Sequence, residues 1–365
     1  MKTFTFLKSF LIICVLSLMG GVNCAWAQET VTLASFTNVA STDWEHTADI
    51  STGKTKYFKL LGSNMYVQSP TIDLTEVANI SFIIQARSYG RVTEAQKTIT
   101  IQVVPTDVHK TPFVVGTIIP KSGDKNTYTT TFRNPYNGPG SIRFIALNST
   151  TSVGAGIYSA TINEAGSFSI TSAGYATYFT DKAFTMPKGV TGSIITDANA
   201  GSLMIEDKYP AGSVVPASTA LLLKGAEKEY TYDVVTTTET APTNNLLHGS
   251  VSKGSTSVNK NTDDYLFYKL SYNEAGDQIG FYWAEDNGAY FVTEGGKAYL
   301  AVPKSQGGAS QMKGFALDGT TTSIQQASIA DKAVPIFDIN GRRVSTLNGA
   351  AKGVYIVGGK KVMVK

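Results

Sequence analysis

The chain is 365 residues long, with 31 basic and 28 acidic side chains, a formal charge of +3 and only 16% charged residues. So balanced a charge lacks the basic footprint that nucleic acid or an acidic membrane surface requires. After the N-terminus no run approaches the about 18 apolar residues of a spanning helix, so an integral helical membrane protein is excluded.

Lys2 and Lys8 flank a short apolar run, Phe10 to Met19, and Ala25-Trp26-Ala27 offers a small-x-small cleavage site. That pattern predicts a signal peptide over residues 1–27 and an exported product. Removing it takes away two lysines, so the charge drops to +1, and leaves 338 of the 365 residues. Cys14 and Cys24 leave with it, so the mature chain is expected to rely on burial rather than disulfides, although disulfides persist outside the cytoplasm. Lipidation of Cys24 is the competing reading. Asn23 opposes it, because Gly, Ala or Ser normally precedes a lipidated cysteine. Two or three domains are expected at this length, each with its own core.

The composition, with 44 Thr, 34 Gly and 18 Tyr, favours an all-β fold, since β-branched and aromatic side chains suit a pleated, half-buried surface. Eight strands are predicted over residues 28–166: Val31 to Phe36, Tyr57 to Leu61, Ile80 to Ala86, Thr98 to Val104, Phe113 to Ile118, Tyr128 to Phe132, Ser141 to Ala146 and Ile157 to Ile162. Turn clusters such as Ser122-Gly123-Asp124 and Asn137-Gly138-Pro139-Gly140 separate them as in a β-sandwich. In Thr98-Ile99-Thr100-Ile101-Gln102-Val103 the alternation points Ile99, Ile101 and Val103 inward. The order Tyr66 to Leu74, followed by Ile80-Ser81-Phe82-Ile83-Ile84, resembles the jelly-roll modules of bacterial adhesins and carbohydrate-binding proteins. Those modules often close on an Ile-Asp-Asp-Ile-like strand. Gly156 to Ile162 lacks the acidic pair, so the calcium role attached to it is not carried over.

Residues 167–318 form a second β-rich domain. Ala220 to Leu223 reads as a fully buried strand, being too short for a helix, and Tyr265 to Tyr272 and Ile279 to Trp283 as neighbours across a turn. The sequence Ala173-Gly174-Tyr175-Ala176-Thr177-Tyr178, with Val215 to Leu223, Asn245-Leu246-Leu247 and Lys297 to Leu300, looks like a module recurrent in surface proteins of bacteria that use type IX secretion. A polar linker, 319–332, precedes a small antiparallel unit over 333–365, in which Asn340-Gly341 and Gly358-Gly359 supply hairpin turns. Asp338-x-Asn340-Gly341-Arg342 with Gly353-Val354-Tyr355-Ile356 resembles the C-terminal sorting domain of the type IX system. The resemblance implies recognition by secretion machinery of the outer membrane through Asp338, Asn340, Gly341, Arg342, Gly353 and Tyr355.

Catalytic signatures are sparse. His46, His109 and His248 show no zinc-ligand spacing. Ala48 to Thr55 fits a phosphate-loop pattern only loosely, because polar residues precede it and a strand follows. No Gly-x-Ser-x-Gly elbow occurs, and nothing selects a pair of carboxylates for glycoside hydrolysis. Asp124-Lys125-Asn126, Asp263-Asp264 and Asp286-Asn287-Gly288 could each offer calcium two oxygens, but Asp and Asn in turns usually bond the backbone. No cofactor is expected. Sugars are held by aromatic stacking with amides and carboxylates on the hydroxyls, which makes Trp44, Tyr89 and Tyr136 the candidate ligand contacts. The expectation is thus a non-catalytic adhesin-like protein, secreted or on the cell surface, binding glycan or another surface ligand. A secreted glycoside hydrolase or peptidase and a purely structural surface protein are the alternatives.

Overall fold

A computed structural model describes residues 29–89, 93–199, 202–258, 263–305, 312–317, 336–338, 343–344, 353–357 and 360–364. The expected leader with Cys14 and Cys24, the linker, and Asn340, Gly341 and Arg342 lie outside the described residues. The fold is all-β and antiparallel, with one short α-helix, Glu94–Lys97, and three single-turn 3-10 helices among the described residues. No helix among them is long and apolar enough to cross a membrane.

The N-terminal part contains β1 (Glu29–Thr30), β2 (Thr32–Phe36), β3 (Glu45–His46), β4 (Asp49–Ile50), β5 (Phe58–Leu60), β6 (Met65–Gln68), β7 (Ile72–Asp73), β8 (Asn79–Tyr89), β9 (Ile99–Pro105), β10 (Phe113–Ile118), β11 (Asn126–Arg133), β12 (Pro139–Ala146) and β13 (Gly154–Ile170). A six-stranded sheet runs β10-β9-β12-β6-β3, with β7 also on β12. A seven-stranded sheet runs β11-β8-β13-β5-β4, with β2 and a later strand also on β13. Alternation along the strands aims Phe58, Val67, Phe82, Ile84, Ile99, Ile101, Val103, Ile142, Phe144 and Ile157 into one shared core. Ile99, Ile101 and Val103 face inward as expected, but Thr100 is buried too.

The central part opens with β14 (Tyr175–Tyr178), β15 (Phe184–Thr185), β16 (Val190–Asn199), β17 (Ser202–Tyr209), β18 (Val214–Val215), β19 (Leu221–Gly225), β20 (Lys228–Asp233) and β21 (Val235–Thr236). It continues through β22 (Leu247–Ser250), β23 (Gly254–Ser255), β24 (Tyr265–Tyr272), β25 (Ile279–Trp283), β26 (Val292–Thr293), β27 (Lys297–Pro303) and β28 (Gly314–Ala316). The four-stranded sheet β14-β19-β16-β17 and the five-stranded sheet β22-β27-β24-β25-β28 dominate. Ala220 to Leu223 are all buried, and adjacent residues divide between two cores: Leu221 and Leu223 enter one, Ala220 and Leu222 the other. A strand buried on both faces reads as a continuous apolar run, which is why alternation is absent there. At the C-terminus β29 (Ile336–Asp338), β30 (Arg343–Val344), β31 (Gly353–Val357) and β32 (Lys360–Val364) pair in the order β30-β29-β31-β32.

The boundary expected after residue 166 falls inside β13. The first part of β13 pairs with β8, and Ala165 to Ile170 pair with β20. Around this join, β1 pairs with β21, Ser81 donates to Asp233 at 3.0 Å and Asn79 donates to Ser167 at 3.2 Å. Lys182 pairs with the largely buried Glu164 and also donates to the Glu76 carbonyl at 3.3 Å. The cores nevertheless remain separate, one drawn from residues 36–162 and the others from 168–315.

Candidate functional site: a polar row on the six-stranded sheet

The outward positions of the six-stranded sheet bring together residues that sequence separates. Glu45 of β3 opposes Gln68 of β6, Gln68 opposes Arg143 of β12, and Arg143 opposes Gln102 of β9. At about 4.8 Å per strand, the row spans roughly 14 Å of sheet. Its inward neighbours explain its direction: Val67, Ile101, Val103, Ile142 and Phe144 are in the core, so the intervening Gln68, Gln102 and Arg143 must face out. Tyr66 joins from the next outward position of β6, opposite Ile145.

These side chains hold one another in place. Tyr66 donates to Glu45 Oε1 at 2.5 Å, Gln68 Nε2 to Glu45 Oε2 at 3.4 Å, and Arg143 Nε to Gln68 Oε1 at 2.7 Å. The Arg143 guanidinium lies 4.5 Å from the Tyr66 ring centroid, a cation–π distance. The hydrogen bond to Glu45, then burial and the Glu45 charge, push the Tyr66 phenol above its ordinary range, although Arg143 pulls the other way. Tyr66 is therefore a neutral donor at physiological pH. Among the described residues Arg143 spends only Nε on a side-chain bond, which leaves its terminal nitrogens to outside acceptors. Gln102 is half-buried, and no side-chain hydrogen bond engages its amide among the described residues. The row thus offers donors, an acceptor and an aromatic ring in a braced array.

The three aromatics singled out from sequence go elsewhere. Trp44 is 3% exposed, with Phe36 edge-on at 4.7 Å and Phe144 parallel at 6.1 Å, so it fills the sandwich core. Tyr136 is 9% exposed, stacked on Phe113 at 6.0 Å, with Lys110 5.0 Å from its ring centroid. Neither presents a free ring face, which corrects the expectation for both. The polar residues around Trp44, Thr42, Asp43 and Glu45, mislead because its packing partners are distant in sequence. Tyr89 is half-buried on the opposite sheet, stacked on Tyr57 at 5.6 Å.

No group of three or more His, Cys, Asp or Glu side chains among the described residues is placed to hold a metal ion. His46 bonds the Ala48 carbonyl at 2.9 Å and packs on Phe58, while His109 is exposed in a loop. Asn126 bonds the Asp124 carbonyl at 2.9 Å, and Asn287 takes a positive φ of 57° in a turn. Both act as turn formers. The stretch from Ala48 to Thr55 contains β4 and a turn closed by Ser51 donating to the Thr55 carbonyl at 3.1 Å, with no helix to receive a phosphate. Of the residues assigned to sorting, Asp338 and Tyr355 are register partners on β29 and β31, Tyr355 is buried, and Gly353 opposes Val364.

Sequence reasoning missed Glu45, Gln68, Gln102 and Arg143 because a row across strands has no linear signature. The signal available was the polar position in each alternating strand. No family model matches the chain, and comparison with curated proteins finds no match.

Proposed function

We propose that the protein is an exported, non-catalytic protein, secreted or held at the cell surface, that binds glycan on the outer face of its six-stranded sheet. One observation carries this reading: Glu45, Gln68, Arg143 and Gln102 are in register across four strands beside Tyr66. Sugar hydroxyls ask for such mixed donors and acceptors, with an aromatic surface for the ring. The row carries a single carboxylate, whereas both common geometries of glycoside hydrolysis use two, and this favours binding over catalysis. The leader pattern and the sorting-like tail support delivery across the outer membrane, with its secretion machinery as a further partner.

The test is a glycan-array and matrix-protein screen of the purified protein, followed by titration of any hit. Gln102→Ala and Arg143→Met should each weaken a genuine ligand by about 1–3 kcal/mol, the range for hydrogen bonds to neutral and charged groups. Their melting temperatures should stay close to that of the parent. Affinity unchanged in both variants would refute the assignment of this face.

A further inference from the structure

The other outer face, that of the seven-stranded sheet, carries a different cluster. Arg87 of β8, Gly156 of β13 and Lys59 of β5 occupy one outward row. Beside them β13 is bulged: Ile157 opposes Ala86 and Ser159 opposes Gln85, so Tyr158 is the extra residue. Ile157 and Ala160 both remain in the core, which leaves Tyr158 and Ser159 together on the outer side. The re-aimed Tyr158 ring meets Tyr57 at 4.8 Å, and Tyr57 stacks on Tyr89 at 5.6 Å with 17° between the planes.

Cations lie among these rings. The Arg87 guanidinium is 4.2 Å from the Tyr89 centroid and 5.7 Å from that of Tyr57, and Lys125 is 5.8 Å from Tyr158. A Cβ on Gly156 would come within 2.9 Å of both Tyr57 and Tyr89, so the two rings rest on bare backbone. None of the ion pairs among the described residues involves Arg87, Lys59 or Lys125; one carboxylate, Asp49, opposes Lys59 from β4. Arg87 Nε and Tyr89 Oη are buried without a hydrogen-bond partner among the described residues. Native interiors rarely leave such donors unmet, and two side by side ask for an acceptor. Burial, with the Tyr57 and Tyr158 hydroxyls beside it, holds the Tyr89 phenol well above its ordinary range, so it stays protonated and can donate.

We propose that this cluster is a second ligand site, for an acidic pyranose such as a uronic or sialic acid unit. The sugar carboxylate is held by the Arg87 guanidinium beside Tyr89, and the ring lies against the half-buried Tyr57 and Tyr89, while Tyr158, only 9% exposed, packs on Tyr57 as support. A carboxylate matches the guanidinium fork, and the aromatic wall supplies what a pyranose ring face needs and a bare phosphate cannot use. The site is separate from the row on the six-stranded sheet and does not depend on it.

Calorimetric titration of the intact protein with glucuronic acid and N-acetylneuraminic acid, against glucose and inorganic phosphate, tests the assignment. At least one acid sugar should bind saturably and more tightly than glucose or phosphate. Arg87→Met should weaken it by roughly tenfold or more, and Arg87→Lys should fail to restore it because an ammonium lacks the planar fork. Tyr89→Phe should weaken it less. If Arg87→Met does not fold, the Lys variant decides. No saturable acid-sugar binding, binding of glucose or phosphate that is equally tight and equally lost in Arg87→Met, or full affinity in Arg87→Lys would each overturn the proposal.

Discussion

Trp44→Ala separates a core aromatic from a ligand platform. The indole touches Phe36 and Phe144 from two sides, and those rings in turn meet Phe58 and Phe82, at 5.4 Å and 6.1 Å. Truncating a buried Trp to Ala costs about 3–5 kcal/mol, and the upper half of that range is expected here because four phenylalanines cannot all move into the void. For a cooperative unit of this size the melting temperature should drop by roughly 10–20 °C. Trp44→Phe keeps one ring in the space and should cost less than half as much. The assay is thermal unfolding by calorimetry, paired with ligand titration at a temperature where both variants are folded. A variant that melts with the parent but has lost glycan affinity would refute the core assignment and return Trp44 to the ligand.

Glu164 and Lys182 tie the sandwich to the central sheets, so Lys182→Met should destabilise by about 2–4 kcal/mol by stranding a buried carboxylate, while the double change with Glu164→Gln should recover most of the loss. Equal urea midpoints for the single and double variants would count against this. Burial pushes the Tyr268 phenol up to about 12 from an ordinary 10.0. The folded state therefore holds that proton more tightly than the unfolded state. Its stabilisation is complete below pH 10.0 and is lost as pH rises towards about 12. Tyr268→Phe should flatten that alkaline limb in urea unfolding, after an initial loss of its bond to the Met312 carbonyl, and an unchanged limb would assign it to other groups. Deleting Val334 to Lys365 should leave folded protein in the periplasm, because the cores described here use residues 36–315, and cell fractionation showing normal surface delivery would sink the sorting role.

The strands were the legible part of the fold. Phe113–Ile118, Tyr265–Tyr272 and Ile279–Trp283 have the bounds that alternation and turn residues predict. Short strands such as Glu45–His46 and Asp49–Ile50 carry no period of their own and exist because longer neighbours pair with them. The same dependence hid the sites. Glu45 and Arg143 are almost a hundred positions apart and meet through two intervening registers, and the bulge at Tyr158 changes which side of the sheet it faces without altering local composition. Trp44 shows the reverse error, where polar neighbours suggested a surface that tertiary contacts then covered.

The 17-residue strand β13 has a mechanical meaning. Gly154 to Ala165 are stitched to β8 and Ala165 to Ile170 to β20, so a pull between the sandwich and the central sheets would load those hydrogen bonds in shear, many at once. A peptide linker at residue 166 would have acted as a swivel. The continuous strand acts as a tie rod, and a ligand on either outer face of the sandwich would feel the tension in a fixed direction.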